Sequence, residues 1–449
     1  MAKKPSVRFE CSSCGAMYGS WSGKCTACGQ WNTLQEQVAD VGALARSTGR
    51  SLEVKPLSGV VKKDTVARIT TGMQDFDIVL GGGFVPGSVT LVAGEPGIGK
   101  STLLLQVAAA VAVQGPVLYV SGEESAHQVG LRAERLGLRV KDLSIAVSAS
   151  ANDIARTISD NDYKLVIVDS IQTVGVDEVA SAIGTISQIT NSTQLLTAAA
   201  KKINSALILV GHVTKEGSIA GPKVLEHTVD TVLQLEGDRY GGFKLLRAIK
   251  NRFGSTGETG IFEMVETGLR TVDNPSAALL AERQLSDGSV VLATIEGSRA
   301  LLVEIQALVN TTAYGYPKRA ASGFDINRLN LLIAMLERRT KLKLADKDIY
   351  INVVGGIKIN EPAADLAVVM AIASATKGMQ LKKNAVVFGE LGLSGELRHV
   401  PFIEKRIAEA KKLGFETAIG PVTSAVKNNK DFSSVKTVKE ALNTFLEKE

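Results

Sequence analysis

The sequence lacks the features of membrane and secreted proteins. No stretch of its 449 residues approaches the roughly 20 uninterrupted apolar positions that a transmembrane helix needs. The N-terminal residues MAKKPSVRFEC carry basic side chains but no apolar core, so they do not indicate a secretory signal. We therefore expect a cytoplasmic protein that has no membrane partner.

Strong net charge and low-complexity tracts are also missing. A formal net charge of +5 permits a polyanionic partner such as nucleic acid but does not argue for one. The composition, 45% apolar and 22% charged, is that of a globular protein. Because 449 residues exceed one ordinary core, two or three domains are expected.

Cysteine is absent from the whole chain except residues 11–28. That segment contains two CxxC pairs, CSSC and CTAC, with ten residues between them. Two such pairs can bring four thiolates to one tetrahedral Zn²⁺, so the pattern predicts a zinc site. Disulfides or unrelated thiols are the alternative, which a reducing compartment disfavours. Whether the module binds nucleic acid, binds protein or only folds stays open. The predicted zinc ligands are Cys11, Cys14, Cys25 and Cys28.

Short β-branched runs alternate with helical stretches from about residue 61 onward. SVTLVAG, PVLYVSG, KLVIVDS and SALILVGH are apolar on both faces, which indicates a parallel sheet covered by helices. After residue 228 closely spaced strands predict antiparallel pairs at the sheet edge. The expected division is a zinc module at 1–35, a linker at 36–60, an α/β domain at 61–273 and a second α/β domain at 285–449.

GEPGIGKST at residues 94–102 matches GxxxxGK[ST] between an apolar strand and a helix. Glycines at these spacings let backbone N–H groups close around phosphates, and the helix N-terminus adds positive potential. Lys100 is expected to reach the β- and γ-phosphates of ATP, and Ser101 to bind Mg²⁺. The predicted nucleotide-binding residues are Gly94, Glu95, Pro96, Gly97, Ile98, Gly99, Lys100, Ser101 and Thr102.

Hydrolysis also needs a carboxylate beside the metal and a base that orients water. Asp169 ends the apolar strand KLVIVD, the position expected of a second magnesium-side carboxylate, and Ser170 follows it as a candidate to hold water. For the base we favour Glu123 over its neighbour Glu124, with helix capping as the alternative role of either residue. His212 and Thr214 are candidates to sense the γ-phosphate, and a plain strand-end role fits them equally.

These residues lie in a sequence that resembles the RecA-type recombinase ATPases, through ITTGMQDFDIVLGGGFVPGSVTLVAGEPGIGKSTLLLQVA and a glutamate one strand later. Together with the four-cysteine N-terminus and KNRFG at 250–254, the chain resembles the bacterial RadA (Sms) family. The resemblance implies a DNA-repair ATPase that works with RecA on single-stranded and branched DNA, by translocation that extends strand exchange or branch migration. It also implies that Lys250 and Arg252 reach either a neighbouring protomer's γ-phosphate or DNA phosphates, whereas a solvated strand end is the alternative.

Residues from about 285 onward resemble the proteolytic domain of Lon-type proteases. The nucleophilic serine of that family is replaced here by Ala363, within Pro362–Asp365, and the catalytic lysine's place is taken by Glu404, with Lys405 next to it. A serine–lysine dyad needs both partners, so no peptidase activity is expected. The resemblance implies a homo-hexameric scaffold. Candidate DNA-facing basic clusters, which solvated faces would also explain, are Lys318-Arg319, Arg338-Arg339 and Lys382-Lys383.

The sequence therefore predicts a zinc-containing, DNA-dependent ATPase with a RecA-like core and a degenerate Lon-like domain. Two alternatives come from other classes of protein. One is a RecA-like regulatory ATPase that acts on proteins, and the other is an ATP-dependent protease.

Overall fold

The computed structural model of the chain describes residues 8–13, 16–37, 67–139, 141–212, 223–237, 242–313, 315–381, 384–423, 426 and 429–447. The chain divides into two compact units, Met1–Thr65 and Val66–Glu449. The predicted linker at 36–60 lies almost wholly outside the described residues. Within the described part of the chain, no helix has the length and apolar character needed to cross a membrane.

The first unit contains a small antiparallel sheet around the cysteines. Its strands, β1 (Arg8–Cys11), β2 (Met17–Tyr18) and β3 (Leu34–Gln37), are arranged in the order β2-β1-β3. The buried residues among those described are Cys11, Cys25 and Leu34, with Phe9 and Tyr18 packed against them. So small an apolar core leaves most of the module's stability to a metal or other cross-link.

The second unit begins with a nine-stranded sheet. Its strands are β4 (Val89–Gly94), β5 (Val117–Ser121), β6 (Leu143–Val147), β7 (Leu165–Asp169), β8 (Ala206–His212), β9 (Thr231–Gly237), β10 (Phe243–Asn251), β11 (Thr259–Val265) and β12 (Gly268–Thr271). The order is β12-β11-β10-β9-β4-β8-β7-β5-β6. Six neighbouring strands, β9, β4, β8, β7, β5 and β6, are parallel to one another. Strands β10, β11 and β12 add antiparallel pairs beside β9, at one edge of the sheet. The predicted parallel sheet with an antiparallel edge is confirmed.

Helices cover both faces of this sheet, as doubly buried strands require. They are α1 (Gln74–Leu80), α2 (Lys100–Ala112), α3 (Ala126–Arg135), α4 (Ala151–Ser159), α5 (Ile186–Lys202) and α6 (Lys223–Thr228). Two separate apolar clusters, one on each face, pack these helices against β4, β5, β7 and β8. Ser125 begins α3 with a capping box, accepting from the N–H of Gln128.

A second, seven-stranded sheet follows after α7 (Pro275–Leu280). Its strands are β13 (Ser289–Glu296), β14 (Arg299–Thr311), β15 (Arg319–Ser322), β16 (Lys347–Val353), β18 (Ala385–Val387), β21 (Thr417–Pro421) and β22 (Phe432–Val435), in the order β15-β16-β14-β13-β18-β21-β22. Short pairs are formed by β17 (Gln380–Leu381) with β23 (Leu446–Glu447) and by β19 (Glu390–Leu391) with β20 (Leu397–Arg398). The helices are α8 (Ile326–Thr340), α9 (Asp365–Lys377), α10 (Ile403–Lys412) and α11 (Val438–Phe445).

The two sheets of the second unit share apolar packing. Leu245 and Ile261 of the first sheet and Leu279 of α7 belong to the same buried cluster as the second sheet and α9. The predicted domain boundary between residues 273 and 285 falls at α7 and stays a prediction. This continuity places residues of the second sheet close to the first sheet's strand ends.

Candidate nucleotide site and cationic edge

The phosphate-binding loop lies at the carboxyl end of β4, in the middle of the nine-stranded sheet. Residues 95–99 turn the chain from β4 into α2. Gly97 and Gly99 have φ angles of 78° and 111°, in the left-handed region that residues with a Cβ rarely adopt. A Cβ on Gly94 would meet the carbonyl oxygen of Leu235 at 2.7 Å, so a side chain is excluded there as well. The loop thus presents backbone N–H groups and a helix N-terminus to a phosphate.

The other predicted loop residues differ in exposure. Ile98 is buried in the apolar cluster beneath α2, and this anchors the loop. Pro96 is exposed, and Glu95, Ser101 and Thr102 are half-buried. The hydroxyls of Ser101 and Thr102 lie in the first turn of α2, where a magnesium-bound phosphate would be held.

Lys100 is buried at the base of the loop, with 4% of its surface exposed. Its ammonium donates to the carbonyl oxygens of Gly94 at 2.8 Å and Glu95 at 3.0 Å. Burial lowers the pKa of Lys100 from 10.5 to about 8, while the nearby charges of Asp169, Glu123 and Glu95 act in the opposite direction. Lys100 therefore lies within electrostatic reach of both predicted catalytic carboxylates.

Asp169 is the last residue of β7, half-buried, and is held by a neighbouring strand. The Tyr119 hydroxyl donates to Asp169 Oδ2 at 2.6 Å. Burial, followed by the charge of Asp169, raises the pKa of Tyr119, so its hydroxyl keeps its proton and stays a donor. Sequence analysis missed Tyr119, although a phenol inside the otherwise apolar strand VLYVS was a signal.

The two adjacent glutamates after β5 have different partners. Glu123 Oε1 accepts from the Ser170 hydroxyl at 2.6 Å and lies 3.6 Å from Nε2 of His212. Glu124 instead forms an ion pair with Arg132 of α3. Glu123 therefore faces the residues at the strand ends, which supports the preference for it as the base, whereas Glu124 is tied to α3.

His212 connects the lysine and the glutamate. It is the last residue of β8 and pairs in register with Gly94, the last residue of β4. Its Nδ1 lies 3.2 Å from the Lys100 ammonium. Of the two γ-phosphate sensor candidates, His212 lies beside the loop, and Thr214 lies outside the described residues.

Magnesium chemistry fits these residues. A Ser101 hydroxyl and an Asp169 carboxylate are the hard oxygen ligands that Mg²⁺ prefers, alongside water and phosphate. Both are at the same edge of the sheet, since Asp169 ends β7 and Ser101 follows the loop after β4.

A cleft of about 470 Å³ lies between the loop and the second sheet. Glu95 and Ile98 form one wall, and Gly323, Lys358 and Asn360 contribute from the other side. Sequence analysis gave no indication that the C-terminal half reaches the phosphate loop. The contact arises from packing between distant parts of the chain, which no local pattern reports.

Lys250 and Arg252 lie level with the start of β4, whereas the phosphate loop follows the end of β4. Asn251 pairs with Thr231, and Thr231 pairs with Thr90, near the start of β4. Four residues of β4, roughly 13 Å at about 3.3 Å per residue, separate that level from Gly94. The KNRFG segment and the phosphate loop of the same chain therefore occupy opposite ends of the strands.

Both cations have partners at that end of the strands. The Lys250 ammonium donates to the carbonyl oxygens of Glu226 at 2.5 Å and Val229 at 2.8 Å, at the end of α6. The Arg252 guanidinium lies 3.2 Å from a carboxylate oxygen of Asp230, but 55% of its side chain is exposed. Lys250 thus holds α6 in place, and Arg252 presents charge to the surface.

The end of the KNRFG segment packs on the loop after α1. Arg68 donates to the carbonyl oxygen of Phe253 at 2.7 Å. A Cβ on Gly254 would lie 3.0 Å from the Cα of Gly81, so a side chain there would crowd the loop after α1. Phe253 remains partly exposed, at 36%.

The positions that resemble the Lon-type catalytic dyad hold other chemistry. Ala363 is buried, and its carbonyl oxygen accepts from the N–H of Gly389 at 2.7 Å. Glu404 is exposed, and the Lys405 ammonium donates to the carbonyl oxygen of Ser298 at 3.0 Å.

Beside Ala363 runs a buried ion pair that the sequence did not reveal. The Arg406 guanidinium is fully buried and pairs with Glu361, two residues before Ala363. Arg406 also donates to the carbonyl oxygen of Ala293 at 2.5 Å and lies over the Phe388 ring, 5.5 Å from its centroid.

The basic clusters of the C-terminal half are dispersed. Lys318 lies 5.9 Å from the centroid of the Tyr350 ring. Arg338 and Arg339 end α8, and Arg339 donates to the carbonyl oxygen of Leu393 at 3.2 Å. Arg319 donates to Asn330 at 3.4 Å. Lys382 and Lys383 lie outside the described residues.

Three of the predicted zinc ligands converge in the first unit. The sulfur atoms of Cys11, Cys25 and Cys28 all lie within 4.8 Å of one another, and those of Cys11 and Cys28 are 3.7 Å apart. Tetrahedral zinc with Zn–S bonds of about 2.3 Å sets sulfurs about 3.8 Å apart, so the geometry fits. A hydrogen bond with Tyr18 is the main factor that lowers the pKa of Cys25 to about 6, favouring the thiolate a metal needs. Cys14 lies outside the described residues.

Comparison with known families agrees with this arrangement. Residues 62–218 match the model of the AAA domain, and residues 323–424 match that of subunit ChlI of Mg-chelatase. Residues 9–36 match the rubredoxin metal binding domain, which covers all four cysteines.

Full-length relatives are similar over almost the entire chain. DNA repair protein RadA of Halalkalibacterium halodurans is 44% identical, covering 99% of this chain and 100% of the relative. DNA repair protein RadA of Escherichia coli is also 44% identical, covering 99% of each chain. Among solved structures, the RadB recombinase matches 46% of this chain and 100% of its own, with a TM-score of 0.37 and 26% identity.

Proposed function

Because the chain belongs to the RadA family of DNA repair proteins, we propose that it is a DNA-dependent ATPase that processes recombination intermediates. The fold is α/β, a RecA-like ATPase core with a Lon-like C-terminal part and an N-terminal zinc module. ATP hydrolysis is the activity of this core. We propose in addition that binding of single-stranded or branched DNA stimulates this ATP hydrolysis.

The residues at the loop supply the binding half of the reaction. The backbone of residues 95–99 and the Lys100 ammonium hold the β- and γ-phosphates, and Ser101 and Asp169 hold the metal. Bound Mg²⁺ neutralises charge that develops on the phosphate oxygens. Tyr119 keeps the Asp169 carboxylate in one orientation through its hydrogen bond.

Glu123 is the proposed general base. Its carboxylate, aligned by the Ser170 hydroxyl, accepts a proton from the attacking water. His212 lies between Glu123 and Lys100, so a shift of Lys100 on phosphate binding would also alter the position of Glu123.

The position of KNRFG, at the ends of the strands opposite the phosphate loop, is the main support for a catalytic site shared between protomers. Among the described residues, a single protomer brings Lys100 to the phosphates, whereas charge builds on the leaving group in the transition state. Arg252 pairs with Asp230 but is more than half exposed at the opposite strand ends, so it is available to a second molecule, and a neighbouring protomer's γ-phosphate is the partner we favour. Lys250 supports this by fixing α6 beside it.

Such a contact joins unlike surfaces of two protomers, so it generates a ring or a filament. We propose a homo-hexameric ring in which the Lon-like parts serve as scaffold. Translocation of this ring along DNA would extend strand exchange or branch migration together with RecA. Ala363 offers no nucleophile, and Lys405 is bound to Ser298, so the Lon-like part is proposed to have no peptidase activity. A casein cleavage assay tests that point directly.

The decisive experiment is ATP turnover measured with single-stranded DNA, with duplex DNA and without DNA. Parallel sizing of the protein follows its assembly across the same concentrations. We expect turnover to rise with DNA and with assembly. Equal turnover in all three conditions, by a protein that stays a single chain, would overturn the proposal and favour a regulatory ATPase that acts on proteins.

A further inference from the structure

The zinc module carries the only two tryptophans of the 449-residue chain. Both are exposed, Trp21 at 60% and Trp31 at 68% of their surface. Tryptophan is among the side chains with most to gain from burial, so two exposed rings in one small module need a reason.

The backbone holds one of these rings opposite a cation. Lys24 and Trp31 form an antiparallel bridge that flanks the second cysteine pair. The N–H of Asn32 donates to Gly23 at 2.9 Å, and that of Cys25 donates to Gln30, also at 2.9 Å. Trp31 is therefore fixed on the short hairpin that holds two of the zinc ligands.

Gly23 lies beside both tryptophan rings. A Cβ at this position would lie 3.8 Å from the Trp31 ring and 4.0 Å from the Trp21 ring. Its φ is not in the left-handed region, so the backbone does not require glycine there. Its missing side chain instead leaves space between two aromatic rings that approach the same residue.

A positive charge completes the group. The Lys24 ammonium lies 5.5 Å from the centroid of the Trp31 ring. Aromatic rings beside a cation form the arrangement that binds single-stranded nucleic acid, with bases stacked on the rings and a phosphate at the cation. Protein interfaces are also rich in tryptophan, so a protein partner is the alternative that the test below must separate from DNA.

The surroundings favour nucleic acid over protein. Among the residues of this module whose side-chain exposure the structure describes, Trp21 and Trp31 are the large apolar side chains that are exposed. Their neighbours in the chain are serine, glycine, glutamine and asparagine, which provide hydrogen bonds and little apolar area. The rings thus stand as separate platforms in a polar setting.

We propose that Trp21, Trp31 and Lys24 form a base-stacking site for single-stranded DNA. This aromatic site deepens the DNA-directed function proposed above, and it rests on that function only in taking DNA as the polymer bound. Stacking tolerates any sequence because every base has a π-face, so the site would hold strands without reading them.

The tryptophans themselves report on the site in the full-length, zinc-loaded protein. Because the chain has no others, tryptophan fluorescence comes from these two rings alone. We expect single-stranded DNA to quench it as bases stack. An abasic strand of the same length and charge should leave it nearly unchanged, since it offers phosphates but no bases.

Variants separate stacking from general loss of structure. The double variant W21A/W31A should weaken single-strand binding by at least about thirtyfold, because each stacked base contributes about 1–3 kcal/mol and two rings are lost. W21F and W31F keep an aromatic face and should retain binding. Gly23→Leu fills the space between the rings and should abolish the quenching although both tryptophans remain. K24A should reduce the salt slope of binding by about 0.7.

Two controls guard the interpretation. Zinc content must stay at the parent value in each variant, and Leu131→Ala, which removes an exposed apolar side chain at 53% exposure in the other unit, should change nothing. Unquenched fluorescence with DNA bound, or full affinity in W21A/W31A, would overturn the site and leave the DNA-stimulated ATPase standing. Quenching without any DNA effect on turnover would instead keep the site and refute the proposed function. Quenching by a protein partner but not by DNA would assign the surface to protein binding and also overturn the site.

Discussion

The Lys100 ammonium lies 3.2 Å from Nδ1 of His212, whose other ring nitrogen lies 3.6 Å from Glu123. One imidazole therefore joins the lysine proposed to bind the γ-phosphate to the glutamate proposed to activate water. The register of β4 and β8 fixes this position, since Gly94 and His212 are paired across the two strands. The phosphate loop and the proposed base are thus coupled through a strand end.

Replacing His212 should affect turnover more than ATP binding. His212→Ala removes a partner of a charged group, and such hydrogen bonds contribute about 1.5–3 kcal/mol, which corresponds to a loss of about ten- to hundredfold in kcat. Steady-state kinetics should show this fall in kcat with little change in KM. His399→Ala, an exposed histidine of the C-terminal half, serves as control. A parallel rise in KM with kcat intact would show that His212 only binds nucleotide.

Adjacent glutamates offer a matched pair of variants. Glu123→Gln should lower kcat by about 10²–10⁴ while ATP still binds, because the amide cannot accept the proton. Glu124→Gln alters a carboxylate bound to Arg132 and should leave kcat within a few-fold of the parent. Turnover and nucleotide affinity of the two variants are compared side by side. The reverse ranking would transfer the role of base to Glu124.

The pKa of Lys100 predicts a pH dependence of ATP affinity. Burial lowers this pKa from 10.5 to about 8, and a triphosphate raises it again, so binding takes up a proton when the pH exceeds about 8. Affinity should then fall as pH rises, by up to about tenfold per pH unit. Calorimetry in buffers of different ionisation enthalpy measures the proton directly. Lys100→Arg, which stays charged, should show no such decline, and a decline in that variant would point to another group.

The lowered pKa of Lys100 also affects the free energy of unfolding, which rises with pH where ATP affinity falls. Between pH 8 and 10.5 the folded protein binds fewer protons at Lys100 than the unfolded chain does. The free energy of unfolding contributed by this group therefore rises with pH across that window, and its desolvation cost is fully present below pH 8. Loss of ATP affinity above pH 8 is thus not a sign of unfolding at Lys100.

Sequence reached the parts of this molecule that local patterns specify. The phosphate loop is nine contiguous residues, and Asp169 follows an apolar strand, so both positions could be predicted. The alternation of strands and helices gave the parallel sheet, because doubly buried strands leave a continuous apolar run.

Contacts between residues far apart in the chain could not be predicted from the sequence. Tyr119 reaches Asp169 from the neighbouring strand, and Asp230 meets Arg252 because β9 and β10 are paired side by side. Likewise, Glu361 lies shortly before α9 and Arg406 lies in α10. The two side chains meet only because these distant parts of the chain pack together. Such partners depend on three-dimensional proximity, and a sequence without alignment carries no record of it.

The buried pair Glu361–Arg406 should be costly to break. Arg406→Ala leaves the Glu361 carboxylate, whose side chain is only 18% exposed, without its cation, and removing one partner of a buried ion pair costs about 3–5 kcal/mol. Arg398→Ala breaks an ion pair whose side chains are 58% and 40% exposed, so it should cost about 0–1 kcal/mol. Denaturant unfolding measures both. Equal costs for the two variants would mean that Arg406 is not the anchor of the Lon-like core.

Mixing two inactive variants tests whether the catalytic site is shared between protomers. Lys100→Ala destroys the loop but keeps Arg252, and Arg252→Ala does the reverse. If Arg252 acts on the neighbour, an equal mixture recreates a complete site at about a quarter of the interfaces, so turnover should reappear. Because Arg252 and the loop of one chain lie at opposite ends of the strands, no rescue within a chain is available.

Three comparisons make the outcome of that mixing decisive. Arg156→Ala, which removes an 80% exposed arginine paired with Asp160, should keep parental turnover and so controls for loss of surface charge. Lys100→Ala mixed with the double variant K100A/R252A contains no intact loop and must stay inactive. If Arg252→Ala alone keeps full turnover without DNA yet loses its stimulation by DNA, the arginine serves the polynucleotide. If turnover does not reappear in the mixture although the two variants co-assemble, the shared site is refuted and DNA phosphates remain as the partner of Arg252.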